Sequence, residues 1–181
     1  TRGAQRNPNI VGLTSLEVND SGEILFATVN NTSNYLYPDI RITKFNSNGG
    51  QISQSSPNFS NGIQGSVNDI DISKNGEFLV VGALGSTTEK NKGFVNVYKK
   101  QSDNTWNLIN TLEKDTTGHG RSVAISDDGQ IISIGKVYKN QGSDYDQRFV
   151  NSYEYKNGSF NNSYSGKAKG RLYAVSYTHL T

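Results

Sequence analysis

The chain has 181 residues, is 33% hydrophobic and 19% charged, and carries a formal charge of +2. It contains no cysteine, which excludes a disulfide framework, a thiol nucleophile and a cysteine-based zinc site. So small a charge gives no case for nucleic acid, and the longest apolar run, Phe78 to Leu84, is far short of the ~18 residues of a membrane span.

Residues 1–9 are polar, with Arg2, Arg6 and Pro8, and 1–12 read as a linker or the end of a preceding unit. From residue 13 a pattern begins that returns twice. Its anchors are the turn glycines Gly22, Gly76 and Gly129, spaced 54 and then 53 residues apart. Each follows an alternating strand: Leu16 and Val18, then Ile70 and Ile72, then Val123 and Ile125. Period-two alternation marks a strand with one buried face. After each glycine comes a denser apolar run: Ile24-Leu25-Phe26-Ala27, Phe78-Leu79-Val80-Val81 and Ile131-Ile132-Ser133-Ile134. Such a run predicts a strand buried on both faces. The pairs Ser21-Gly22, Asn75-Gly76 and Asp128-Gly129 supply the positive φ that a hairpin turn needs.

A third strand follows in each unit. Phe94-Val95-Asn96-Val97-Tyr98 matches Phe149-Val150-Asn151-Ser152-Tyr153 at four of five positions, and Ile40 to Phe45 is the weaker first copy. A fourth strand follows a polar turn, at Gly50 to Gln54, Trp106 to Leu112 and Phe160 to Tyr164. One unit is therefore four antiparallel strands, the pattern of a β-propeller blade. The sequence predicts an all-β chain: a partial propeller of about three blades and the start of a fourth. The expected divisions are 13–64, 65–117 and 118–169 for the three blades, with the fourth starting in 170–181. Closed propellers have roughly four to eight blades, so the chain reads as a piece of a larger one. The absence of Met agrees with that, and residues 175–181 resemble a translated sequencing adapter and read as non-native. The open edges of an incomplete propeller are expected to self-associate.

Antiparallel order sends the strand-two-to-three loops to one rim and the strand-one-to-two turns to the other. The long loops run from Asn30 to Asp39, Gly85 to Lys92 and Tyr138 to Arg148. Loops on a rigid scaffold are where binding residues gather, and Tyr and Arg are enriched at binding hot spots. The candidate ligand contacts are Tyr35, Tyr37, Tyr138, Tyr145 and Arg148. The bland alternative is a set of solvated loops with incidental tyrosines.

Other candidates carry less. Asp71, Ser73 and Asn75 resemble the first half of a calcium loop, but Leu79 and Gly82 stand where later ligands belong, so a plain turn is expected. Asp69 and Asp71 share one strand face and could line a channel; with Ser122 and Ala124 at the matching places of the third unit, a solvated inner strand is the simpler reading. His119 has only Asp115 nearby in sequence and reads as a junction residue. Trp106, matched by Phe160, reads as a packing aromatic. Sequons at Asn30, Asn31, Asn58, Asn157 and Asn161 permit secretion without demonstrating it. No catalytic residue, metal site or cofactor is expected.

Thr117 to Gly129, with Val80 to Gly85 and Gly93 to Tyr98, resembles the FG-GAP-type propeller repeat found in integrin alpha chains and microbial surface proteins. His119, Leu84 and Arg148 depart from the repeat's usual Phe, Pro and Gly, and its acidic calcium loop is missing. The resemblance implies a non-catalytic module, part of a larger secreted or cell-surface protein, that binds a protein or glycan. The alternatives are a fragment of a propeller enzyme, of hydrolase or lactonase type, and an intracellular WD-type scaffold.

Overall fold

The computed structural model describes residues 11–18, 24–30, 39–55, 67–84, 92–117, 122–138 and 147–168. They form twelve strands. The first sheet holds β1 (Val11–Val18), β2 (Ile24–Asn30), β3 (Asp39–Phe45) and β4 (Gln51–Ser55). The second holds β5 (Val67–Ile72), β6 (Phe78–Leu84), β7 (Lys92–Lys100) and β8 (Trp106–Thr117). The third holds β9 (Ser122–Ile125), β10 (Ile131–Tyr138), β11 (Gln147–Lys156) and β12 (Ser159–Ala168). Each sheet is an antiparallel meander in chain order. The first strands β1, β5 and β9 pack in series, so the sheets stack side by side about their inner edges as propeller blades do. The chain is a partial β-propeller of three described blades. Among the described residues no helix is long and apolar enough to cross a membrane.

The turns show why the repeat is so regular. In blade two the Gly76 N–H donates to the Ser73 carbonyl at 2.7 Å, and Gly76 has a φ of 71°. The Ser73 hydroxyl donates to Asn75 Oδ1 at 2.7 Å and accepts from the Phe78 N–H at 3.0 Å. Blade three repeats every bond, with Ser126 donating to Asp128 Oδ1 at 2.6 Å and accepting from the Ile131 N–H at 2.9 Å. Only the glycine takes the left-handed conformation; Asn75 and Asp128 instead accept the N–H groups of Glu77 and Gln130. Among the described residues, the turn with two left-handed residues in a row is Asn157-Gly158, which joins β11 to β12 with φ of 53° and 83°.

Blade two lies between its neighbours and uses both faces. Leu79 and Val81 face blade one in a core with Ile42, Val67, Ile70, Ile72, Tyr98 and Trp106. Phe78 and Val80 face blade three in a core with Val95, Val97, Val123, Ile125, Ile132, Ile134, Tyr153 and Phe160. The expectation of a strand buried on both faces holds here, where Phe78 to Val81 are 0–2% exposed. It fails in blade three, where Ile131 is 50% exposed while Ile132 and Ile134 are buried. Among the described residues no sheet covers the face of blade three that carries Ile131 and Ser133, so only alternate residues are enclosed.

Candidate functional site

The acid pair on the inner strand has a structural task. Val123 N–H donates to Asp69 Oδ2 at 2.9 Å, and Ile125 N–H donates to Asp71 Oδ2 at 2.8 Å. Both bonds span 54 residues, one more than the 53-residue spacing between these two blades, so each carboxylate reaches the residue just after its counterpart in the next blade. The carboxylates occupy donors that β9, the innermost strand of its sheet, has no strand partner for on that side. This corrects the expectation of a solvated inner strand, since Asp71 is only 7% exposed. Burial, with the neighbouring Asp71 charge adding to it, pushes the Asp69 carboxyl up to about 6, against the lowering effect of its bond from Val123. Two carboxylates so occupied are placed to hold blades together.

The calcium-loop resemblance resolves in the same way. Asp71 also accepts its own Ile72 N–H at 3.0 Å, and Ser73 and Asn75 are spent in the turn. No group of three or more acidic or histidine side chains among the described residues is arranged to hold a metal ion.

The seam between blades two and three is closed at its turn rim and outer strands. Phe78 meets Tyr155 edge-on with ring centroids 5.2 Å apart, and Phe160 at 5.9 Å. The Lys99 ammonium lies 5.2 Å over the Phe78 ring. At the outer strands, Asn110 Oδ1 accepts the Phe160 N–H at 3.0 Å and Asn110 Nδ2 donates to Ser159 Oγ at 3.0 Å. The turns touch as well, the Lys74 N–H donating to the Asp127 carbonyl at 3.1 Å.

The seam between blades one and two opens instead into a cleft of about 350 Å³. Its walls are two facing sheet rows. Blade one contributes Lys44 and Ser53, which pair across β3 and β4. Blade two contributes Glu77, Lys100 and Trp106; Lys100 and Trp106 pair across β7 and β8, and the Lys100 N–H donates to the Glu77 carbonyl at 2.8 Å. Side chains directly opposite on neighbouring strands point to the same face, so this row projects toward blade one. Trp106 is 4% exposed and forms the floor with Ile42. It packs against the facing sheet of blade one, not merely against its neighbouring strand. The rim is amides: Asn75 from one turn, Gln101 and Asn104 from another, with Asn104 at a φ of 65° closing its own turn on the Gln101 carbonyl at 3.0 Å.

The cleft sits on the rim of the one-to-two and three-to-four turns, opposite the rim of the long loops. The candidate contacts predicted for the loop rim are placed only in part. Tyr35, Tyr37 and Tyr145 lie outside the described residues. Tyr138 and Arg148 are described by their backbone alone, as strand residues: Tyr138 pairs with Gln147 and Val137 with Arg148. Both ends of the loop expected from Tyr138 to Arg148 are therefore paired strand residues. His119 also lies outside the described residues.

The sequence gives no direct sign of the cleft, because its walls come from two blades whose hairpins differ in length. Ile24 pairs with Val18 across the first turn, whereas Leu79 pairs with Ile72 across a turn one residue longer. A one-residue difference moves every later side chain to the other face. Structurally Lys44 therefore stands where blade two has Val97, and this places a lysine in the seam.

No protein-family model matches the sequence, and no curated protein does. Solved structures do. An acylaminoacyl peptidase from Pyrococcus horikoshii superposes with a TM-score of 0.51 at 9% identity, over 87% of this chain and 26% of that one. The β-propeller domain of the Trilobed protease from Pyrococcus furiosus gives 0.49 at 10% identity, over 87% and 43%. A periplasmic gluconolactonase from Pseudomonas aeruginosa gives 0.38 at 13% identity, over 87% and 58%. The likeness is one of fold. This chain spans about a quarter of the length of the first of these proteins.

Proposed function

We propose that this chain is a non-catalytic binding unit, part of a larger secreted or cell-surface propeller of the FG-GAP type, that takes a protein or glycan. The observation that carries this reading is the use made of the inner-strand acids. Asp69 and Asp71 accept backbone N–H groups of the next blade, whereas acid–base catalysis needs a carboxyl placed at a reacting group. What the seams offer to a ligand instead is a polar cleft lined by amides and opposite charges. On this reading the loop-rim residues Tyr35, Tyr37, Tyr138, Tyr145 and Arg148 form a protein-facing surface.

Two measurements on the 181-residue chain test it. Protein and glycan arrays should show retained ligands, with the Tyr145→Ala/Arg148→Ala double variant losing protein ligands. Panels of peptide, glycoside and lactone substrates should show no turnover. Turnover above background would replace the binding reading with the enzyme one.

A further inference from the structure

We propose that the cleft between blades one and two binds the acidic sugar unit of a glycan, a uronic or sialic acid residue, through Lys100 and Glu77. This rests on the binding reading above and gives it a location and a ligand class.

The size is suitable. A cleft of about 350 Å³ lies at the lower end of the range for small-molecule sites, roughly 300–1,000 Å³, and admits one or two sugar rings. The charges are available. Lys100 and Glu77 sit side by side across adjacent strands, yet neither enters an ion pair among the described residues. An ammonium left in a half-buried cleft favours a carboxylate from a ligand, and an unpaired carboxylate favours hydroxyl donors. Lys44 lines the opposite wall.

The rim adds neutral donors and acceptors. Asn75, Gln101 and Asn104 surround the opening, and Ser53 lies on the far wall. Asn75 Oδ1 is occupied by Ser73 and Glu77, and Gln101 Nε2 by the Lys99 carbonyl at 3.1 Å, so these amides are held in place. Held amides suit fixed hydroxyls on a ring. Trp106 lies beneath the cleft with 4% of its surface exposed, which leaves no open aromatic platform for a neutral sugar to stack on. An acidic sugar has both parts of the chemistry that the walls present: one carboxylate and several hydroxyls.

Trp106 is the single tryptophan of the chain, so its fluorescence reports on the cleft. Sodium glucuronate is titrated into the 181-residue chain, with glucose, sodium sulfate and tetra-aspartate as comparison probes. Saturation-transfer NMR of each probe is the second readout. Glucuronate should give a saturable fluorescence change and saturation transfer, weakened by added salt. Lys100→Ala and Lys100→Gln should each weaken it by about 10-fold or more, the effect of losing one charge-assisted contact. Glu77→Gln should weaken it less. Lys100 is half-buried at a strand end, and both replacements should keep the wild-type melting transition.

An equal response to glucose or sulfate would overturn the proposal, the second reducing the cleft to a simple anion site. A stronger response to tetra-aspartate would assign it to an acidic peptide. Silence in both readouts, or binding that the two Lys100 variants leave unchanged, would also overturn it. Acidic-glycan array ligands that survive Lys100→Ala would leave the binding function standing and remove only this site; turnover would remove the function itself.

Discussion

The two seams of blade two are built by the same topology and do opposite things. Toward blade three, Phe78, Tyr155 and Phe160 close the rim with a cluster of rings, and Val97 lies in the core behind them. Toward blade one, the place of Tyr155 is taken by Lys100, that of Phe160 by Trp106 and that of Val97 by Lys44. The backbone bonds are shared: Tyr155 N–H donates to the Gln130 carbonyl at 2.9 Å just as Lys100 N–H donates to that of Glu77 at 2.8 Å. The repeat therefore fixes the backbone, and two or three side chains decide whether a seam is filled or left open. On the proposed reading the open seam is the one that receives a ligand.

The largest effect should come from removing the centre of the sealed seam. Phe78→Ala deletes a ring that is 2% exposed and leaves a cavity against Tyr155 and Phe160. The expected loss is about 3–5 kcal/mol by urea unfolding. Lys100→Ala, the change at the open seam, should stay within about 0.5 kcal/mol. Equal losses at the two positions would break the distinction between them.

Gly129 gives the next largest. A Cβ there would come within 2.5 Å of Phe78 Cδ2, and its φ is 73°. Gly129→Ala therefore combines left-handed strain, about 1–2 kcal/mol, with displacement of the ring. Gly49, with a φ of 79° and nothing within 4 Å of its Cβ, isolates the backbone part. The unfolding free energy lost in Gly129→Ala beyond that in Gly49→Ala measures how tightly Phe78 is held. A difference near zero would mean that Phe78 yields freely.

These pairs also show what the sequence reveals. The hairpins and the third strands are legible because a Ser-x-Asn/Asp-Gly turn writes its whole hydrogen-bond scheme in four residues. The roles of Trp106 and Phe160 as matched packing aromatics are legible for the same reason: they recur at one place in the unit. The carboxylate ties are not, because Asp69 and Asp71 have only Ser122 and Ala124 as counterparts, and a bond that joins two units cannot be seen inside one. The cleft is hidden by the shorter first hairpin, which turns Lys44 into the seam although glycine spacing aligns it elsewhere.

The carboxylate ties make the sealed seam sensitive to pH, with a smaller effect. The Asp69 carboxyl, near 3.8 when unfolded, is pushed up to about 6 in the fold by burial. Between those values the folded chain binds more protons than the unfolded one, so stability rises as pH falls from 7 through 6 toward 4. The protonated carboxyl keeps one oxygen to accept the Val123 N–H. Asp69→Asn should preserve the bond and flatten this part of the profile in urea unfolding at pH 4.5 to 7. Asp71→Ala instead leaves the Ile125 N–H without its acceptor, at an expected cost of about 1–3 kcal/mol. A profile that Asp69→Asn leaves unchanged would place the titration on another group.

The smallest change in stability should also be the most informative. Lys100→Tyr gives the open seam the residue found at the matching place of the sealed one, where Tyr155 packs on Phe160 with centroids 5.0 Å apart. The new ring would lie across Trp106 and fill the cleft that Lys100 now lines. An aromatic contact of this kind adds about 0.5–1.5 kcal/mol, offset by the cost of desolvating the neighbouring Lys44 and Glu77. The melting temperature should therefore rise only slightly. The glucuronate response of Trp106 should nevertheless disappear, because the volume that receives the sugar is gone. If the variant kept that response, ligand would have to enter elsewhere, and the open seam would be a packing defect with no part in binding.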